Sequence, residues 1–224
     1  MKRLLAINWF RTLQLNFGLL PWRQALRCPL VAYGPLRVRL GAEARVLLSP
    51  DAQSFGSVVL GSRHETYQAA AGKGQFTLLG RWVVNGRFRL GVDSCLYVHR
   101  GATLTTGHEV YLARDTQIEC AESVTIGHHV LAGELYVCDT AAHRVQHGQE
   151  PARGLTQPIA IGDGCYLGFR TMMLRGAHIP PHSVVGSGAV CTRDYAALHP
   201  QGHLFLVGVP ALVKATDVTP DCLV

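Results

Sequence analysis

The sequence lacks the features that mark several common protein classes. Its seven cysteines include no Cys-x-x-Cys pair, and their odd number argues against a complete disulfide framework. No cleavable signal peptide is recognisable, and no apolar run reaches the roughly 18 residues that span a bilayer. No nucleic-acid-binding motif or long basic run is present. We therefore expect reduced thiols in a cytoplasmic protein, with no metal, no transmembrane helix and no nucleic-acid partner.

The composition is that of a single globular core. The chain has 224 residues, of which 48% are hydrophobic and only 16% charged. Its 24 glycines indicate many tight turns. The formal net charge of +6 favours an anionic partner, such as a phosphorylated cofactor, an acidic polymer or a membrane surface.

A period of six residues runs through the C-terminal third of the chain. Apolar residues recur at this step at Ile161, Leu167, Met173, Ile179, Val185 and Cys191. Small residues follow at a fixed offset of four, at Cys165, Thr171, Ala177, Ser183 and Ala189. Neither an α-helix nor a single strand has this period, whereas a three-sided parallel β-helix has it, because three sixes complete one coil. The sequence therefore predicts an all-β parallel β-helix.

The same step occurs earlier and is then interrupted. Cys120, Ile126, Ala132 and Cys138 keep the period, although it is poorly held between Val110 and Ile118. The cysteines in these columns are interpreted as small core residues, not metal ligands. The interval from Cys138 to Ile161 is not a multiple of six, so we predict an extruded loop over residues 139–158. Loops on a rigid scaffold often carry chemistry. This one concentrates polar residues, namely Asp139, His143, Arg144, His147, Glu150 and Arg153.

These motifs resemble a known family. The stretches PIAIGDGCYLGFRTMMLRGAHIPPHSVVGSGAVCTRD and LVGVPALVK are similar to the hexapeptide-repeat acyltransferases, whose fold is a left-handed parallel β-helix. The stretches SVTIGHHVLAGELYVCDTAAHRV and WVVNGRFRLG resemble the branch that O-acetylates capsule and lipopolysaccharide sugars. The resemblance covers most of residues 15–214. It implies acetyl-CoA as donor, a sugar or polysaccharide as acceptor, and a homotrimer with its cleft between adjacent β-helices.

The resemblance also implies catalytic residues. His143 matches the family's catalytic histidine and Asp139 matches an aspartate of the same motif, whereas Ala141 replaces a second aspartate. A sugar hydroxyl needs a base to attack a thioester, and histidine titrates near the working pH. We expect His143 to be this base, with Asp139 or Glu150 fixing its tautomer. A second histidine of the loop, His147, is a less favoured base, and His128 and His129 are expected in an exposed turn.

The donor is expected along the coils that follow the loop. Small turn residues would let the pantetheine arm approach the backbone, and two cations would meet its phosphates. The candidates are Gly168, Phe169, Gly186, Ser187, Arg193 and Lys214. The resemblance further implies that a backbone N–H of the Gly168–Phe169 turn binds the oxyanion.

The N-terminal segment has two possible roles. We place residues 1–34 in a helical capping segment, residues 35–216 in the β-helix and residues 217–224 in a tail. The segment is rich in aromatic and basic residues, so it could lie on the inner membrane. The preferred interpretation is that it caps the open first coil, as repeat folds require, and the two roles are compatible.

Two alternatives to acyl transfer are compatible with this scaffold. A zinc hydratase of the γ-carbonic anhydrase type is one, but its second histidine, five positions after His128, is replaced by Gly133. A glycan-binding β-helix without catalysis is the other.

Overall fold

Alternating small apolar residues and glycine turns fold this chain into short strands that stack in three sheets. The computed structural model describes residues 6–62, 73–143 and 154–221. Helices α1 (Trp9–Leu19) and α2 (Trp22–Ala25) come first, and a 3-10 turn covers Pro50–Ala52. In chain order the strands are β1 (Leu30–Ala32), β2 (Leu36–Leu40), β3 (Arg45–Leu48), β4 (Val58–Ser62), β5 (Gly74–Leu78), β6 (Arg81–Val84), β7 (Phe88–Gly91), β8 (Cys95–Val98), β9 (Thr103–Thr106), β10 (Val110–Leu112), β11 (Gln117–Cys120), β12 (Ser123–Ile126), β13 (Leu131–Ala132), β14 (Leu135–Cys138), β15 (Ile159–Ile161), β16 (Tyr166–Leu167), β17 (Thr171–Leu174), β18 (His178–Ile179), β19 (Val184–Val185), β20 (Val190–Cys191), β21 (Phe205–Val207) and β22 (Leu212–Ala215).

Consecutive strands belong to different sheets, and every third strand pairs in parallel. The first sheet has the order β1-β4-β7-β10-β13-β16-β19-β21-β22, with only β22 antiparallel. The second has β2-β5-β8-β11-β14-β17-β20, and the third has β3-β6-β9-β12-β15-β18. This is the predicted left-handed parallel β-helix, a three-sided prism whose edges are the turns between sheets. We call these edges 1–2, 2–3 and 3–1 after the sheets they join.

The coil length changes along the prism. Val190 pairs with Met172, which lies three hexapeptides earlier in the chain. Val110 pairs with Phe88, and these two residues are farther apart in sequence than three hexapeptides. The N-terminal coils therefore have longer turns, and this is why the sequence period is poorly held before Cys120.

The predicted columns form the core. Every apolar and small residue named for the C-terminal period is at most 2% exposed. Cys120, Cys165 and Cys191 are fully buried, and their burial raises the pKa of each thiol to about 12. The interpretation of these cysteines as core residues is confirmed.

Helix α1 caps the N-terminal end of the prism with polar side chains. The Asn16 side chain accepts from the Leu30 N–H and donates to the Leu30 carbonyl, while Thr12 Oγ1 accepts from the Ala32 N–H. These bonds pair backbone N–H and carbonyl groups at the free edge of β1. Left unpaired, such groups can bind a strand of another chain. The β-helix thus begins at β1, within the segment expected to precede it.

The C-terminal end is closed differently. Antiparallel β22 lies along β21, and the Val218 N–H donates to the His203 carbonyl at 2.9 Å. The described part of the tail, which we placed at residues 217–224, is thus attached to the last coil. Among the described residues, no helix combines the length and apolar character needed to cross a membrane.

Candidate functional site

The loop predicted over residues 139–158 leaves the prism at edge 2–3, between β14 and β15. Its base is a short antiparallel pair. The Ala141 N–H donates to the Leu155 carbonyl at 2.8 Å, and the Gln157 N–H donates to the Asp139 carbonyl at 3.0 Å. A bridge between Thr140 and Thr156 lies between these two bonds. Paired backbone at its base fixes the direction in which the loop leaves the coil.

Asp139 anchors this base from inside the protein. Its side chain is fully buried, and its carboxylate accepts three backbone N–H bonds from the adjacent coil. The donors are Ala121 at 2.6 Å and Glu122 and Ser123, both at 2.8 Å. The carboxylate was predicted to orient His143. In the structure it instead accepts hydrogen bonds from the turn between β11 and β12. Asp139 is therefore a positioning residue.

His143 lies at the end of the described part of the loop and is exposed to solvent. Its N–H donates to the Ala141 carbonyl at 2.6 Å. Ala142 before it has a left-handed backbone, with φ of 58°, and donates its N–H to Thr140 Oγ1. This tight turn carries the imidazole outward from the prism. His147 and Glu150 lie outside the described residues, so the partner of His143 stays a prediction.

The Gly168–Phe169 turn lies on edge 1–2, and its N–H groups are occupied. Gly168 donates to the Val185 carbonyl at 2.7 Å, and Phe169 donates to Ser187 Oγ at 3.1 Å. Each of these two N–H groups already has an acceptor in the next coil, and the oxyanion role expected for one of them stays a prediction.

Close stacking of coils also explains why this turn contains glycine. A Cβ on Gly168 would lie 2.7 Å from the Ser187 backbone nitrogen, and one on Gly186 would lie 2.8 Å from a Val207 methyl group. Gly168 is therefore required by the backbone of the neighbouring coil, whereas a side chain at position 186 would displace the Val207 side chain.

An exposed cationic and aromatic pair stands on the same edge. The Phe169 ring is exposed, and the Arg170 guanidinium lies 5.3 Å from its centroid. Arg170 donates to Glu134 at 2.8 Å, and this bond raises the pKa of the guanidinium. Sequence reasoning missed Arg170 and Glu134, because their pairing joins residues 36 positions apart on adjacent coils.

The two predicted cations are exposed but lie apart in the topology. Arg193 follows β20 at edge 2–3, where its carbonyl accepts the His178 N–H. Lys214 lies on β22, at the end of the first sheet. Their roles toward a phosphate stay predictions.

His128 and His129 lie on edge 3–1, away from the His143 loop. The His108 N–H donates to His128 Nδ1 at 3.1 Å, and the His128 N–H donates to Asp163 Oδ1 at 2.7 Å. In the described ranges, no group of three or more His, Cys, Asp and Glu side chains could hold a metal ion. The zinc-hydratase alternative thus lacks a ligand set in that part of the chain.

His143 and the Gly168–Phe169 turn occupy different edges of the prism. The loop lies where the second sheet meets the third, and the turn lies where the first meets the second. A full face of strands separates the two edges within one chain. A site that uses both would need a second copy of the chain.

Sequence comparison connects this scaffold with acetyltransferases. No protein-family model matches the chain. A probable acetyltransferase of Mycobacterium tuberculosis is 31% identical over 142 residues, which cover 60% of this chain and 42% of that protein. The galactoside O-acetyltransferase of Escherichia coli is 27% identical over 46% of this chain and 51% of its own length. That of Lactococcus lactis is 27% identical over 52% of each chain.

The chain is thus similar in sequence to acetyltransferases, two of which are named galactoside O-acetyltransferases. It spans about half the length, or less, of the curated relatives that it matches. Solved structures with a similar fold include the polySia-specific acetyltransferase NeuO, at 14% identity and a TM-score of 0.46, covering 86% of this chain and 78% of that one. The polysialic acid O-acetyltransferase OatWY matches at 15% identity and a TM-score of 0.44, covering 84% and 91%. Likenesses of this size say nothing about substrate.

Proposed function

We propose that this protein transfers an acetyl group from acetyl-CoA to a sugar hydroxyl of a bacterial surface polysaccharide or its precursor. The observation that carries the proposal is the sequence match to one named acetyltransferase and two galactoside O-acetyltransferases. The narrower assignment to surface polysaccharide rests on the resemblance of the stretch from Ser123 to Val145 to the capsule and lipopolysaccharide branch.

In the proposed mechanism His143 is the general base. Its neutral imidazole takes the proton of the sugar hydroxyl while the hydroxyl oxygen attacks the thioester carbonyl carbon. The tetrahedral intermediate then expels the CoA thiolate, which receives the proton from the imidazolium. The products are the O-acetyl ester and CoA, and a base of this kind contributes about 10²–10⁴ in rate. Two observations support this role: His143 is exposed to solvent, and hydrogen bonds between the two ends of its loop hold the loop in place.

Acetyl-CoA is proposed to lie along the coils after the loop. The exposed Phe169 ring and Ser187 would line the pantetheine path on edge 1–2, together with Gly186. Arg193 and Lys214, both exposed, would meet the phosphate groups. No metal takes part in this proposal.

The assembly is proposed to be a homotrimer in the cytoplasm. Support comes from the position of His143 and the Gly168–Phe169 turn on different edges, so that one prism supplies the base and its neighbour the donor turn. The expected contact with the inner membrane is a separate proposal, because it concerns helices at the end of the prism and not the acyl-transfer site.

The test is acceptor-dependent release of CoA. Purified protein is incubated with acetyl-CoA and a panel of nucleotide sugars, galactosides and polysaccharide fragments, and free thiol is followed beside acceptor-free reactions. We expect release above the acceptor-free rate with at least one sugar, and an O-acetyl ester in its mass spectrum. A thermal shift with glycan but none with CoA, and no release with any acceptor, would favour the non-catalytic glycan-binding alternative.

A further inference from the structure

Helix α1 exposes large apolar side chains to solvent, which is unusual for a surface helix. Its buried face contains the polar residues Thr12 and Asn16, which bind β1, beside the apolar residues Leu15 and Leu19. Its exposed face contains apolar residues at helical spacing. A surface helix normally exposes polar and charged residues instead. The exposed apolar face of α1 therefore needs an explanation beyond capping.

This face continues into α2. Both helices expose large apolar side chains, and so does the residue after α2. We call this set the N-terminal aromatic face; its members are Trp9, Phe10, Leu13, Phe17, Trp22 and Leu26. Phe10 is 71% exposed and Trp22 is 64% exposed, so neither ring belongs to the core formed by the described residues. Trp9 also contacts the exposed ring of Phe55, with centroids 6.5 Å apart, which extends the face onto the first coil.

Positive charge surrounds the same face. The stretch from Met1 to Ala42 contains seven Lys and Arg and no Asp or Glu, whereas the rest of the chain contains 14 Lys and Arg and 15 Asp and Glu. The net charge of +6 therefore comes entirely from this end. Arg11 lies over the ring of Phe10, and Arg23 over the ring of Trp22, so cations and aromatic rings occupy one surface.

We propose that the N-terminal aromatic face docks the protein on the surface of an anionic lipid bilayer. Trp and Phe rings partition into the region between headgroups and acyl chains, and arginine binds lipid phosphates. No acidic side chain between Met1 and Ala42 opposes this contact. Docking does not depend on the acyl-transfer proposal, since none of these residues belongs to that site.

The test is vesicle co-sedimentation of the full chain. Vesicles of phosphatidylcholine alone are compared with vesicles containing phosphatidylglycerol, at low and high salt. We expect binding to the anionic vesicles only, weakened by salt. Phe10→Ser with Phe17→Ser is expected to lower binding by about tenfold or more. Arg23→Gln with Arg27→Gln is expected to lower it roughly thirtyfold, at about fivefold for each arginine.

Two control variants test whether vesicle binding depends on this surface or on charge and hydrophobicity anywhere on the protein. Arg81→Gln with Arg87→Gln removes the same charge from exposed positions on other coils, and Leu198→Ser removes an apolar side chain that is 69% exposed near the opposite end. Both should leave binding within about twofold of the unaltered chain. Equal losses in these controls, or no binding of the unaltered chain to anionic vesicles, would overturn the proposal.

A second copy of the chain is the competing occupant. Light scattering in the absence of lipid gives the mass of the unaltered chain and of the Phe10→Ser, Phe17→Ser variant. We expect the same mass for both. A smaller assembly in the variant would show that the face joins copies of the chain, and the bilayer proposal would be wrong.

Discussion

The carboxylate of buried Asp139 accepts the Ser123 N–H at 2.8 Å, and so joins the base of the His143 loop to the preceding coil. The same carboxylate accepts the Ala121 and Glu122 N–H groups. An ionised carboxylate with three backbone donors is a strong local anchor, because charged acceptors form the stronger hydrogen bonds. The loop is thus held through the prism and not only through its own contacts.

Asp139→Asn is predicted to weaken this anchor. One amide oxygen replaces two carboxylate oxygens, and the new NH₂ group faces backbone donors, so unfolding should require about 1–3 kcal/mol less. Urea denaturation measures the change. The exposed carboxylate of Asp51 provides the control, and Asp51→Asn should stay within about 0.5 kcal/mol. Equal stability of Asp139→Asn and the unaltered chain would contradict the anchoring role.

Asn16→Ala is predicted to uncap the first coil. The substitution removes both side-chain bonds to Leu30 and leaves a buried N–H and a buried carbonyl unpaired, at a cost of about 1–3 kcal/mol. Gln14→Ala, on the same helix but partly exposed, should change stability by less than about 0.5 kcal/mol. Thermal unfolding of the two variants compares them directly, and indistinguishable midpoints would exclude the polar cap.

The buried thiols predict a loss of stability in alkali. Burial raises the pKa of Cys120, Cys165 and Cys191 from 9.0 to about 12 in the folded chain. Above pH 9 the unfolded chain releases these protons while the folded chain keeps them, so stability is full below about pH 9 and falls as the pH rises toward 12. The melting temperature should therefore drop between pH 8 and pH 10.5. Cys191→Ala, with one thiol fewer, should show a shallower drop.

Thiol labelling checks the same burial independently. At pH 8 a maleimide should leave Cys120, Cys165 and Cys191 unmodified in the native protein and label them in urea, as peptide mass spectrometry would show. Labelling of these three in the native protein at the rate of a free thiol would refute the assignment to the core.

The site that we propose between chains predicts complementation. Ser187→Trp places a large side chain on edge 1–2, whereas His143→Ala removes the base from edge 2–3. Each variant alone should lose acetyl transfer, but trimers that contain both kinds of chain should regain part of it, because some interfaces combine an intact base with an intact turn. Co-expression with two different affinity tags isolates the mixed assemblies. Mixed assemblies as inactive as the parents would argue for a site within one chain.

The sequence predicted most of the fold because the hexapeptide signal is local. The period from Ile161 to Cys191 matches buried columns residue by residue. The signal was weaker near Val110, where coils longer than three hexapeptides shift the phase while the sheets remain continuous.

The site was predicted less completely, since its contacts join residues that are distant in sequence. The break after Cys138 correctly located the loop base, yet the three backbone donors to Asp139 lie 16 to 18 positions earlier. The acceptor of the Phe169 N–H was not predicted for the same reason, because it is Ser187 on the next coil. The exposed apolar face of α1 became visible only in the structure, where Thr12 and Asn16 face inward and bind β1.

The most direct test of the proposed chemistry is the rate of CoA release by His143→Ala, measured with saturating acetyl-CoA and an active acceptor. His199→Ala, a histidine on edge 3–1, controls for loss of an imidazole elsewhere. We predict that kcat falls by about 10²–10⁴ in His143→Ala and stays unchanged in His199→Ala. Turnover by His143→Ala at the rate of the unaltered chain would contradict the account.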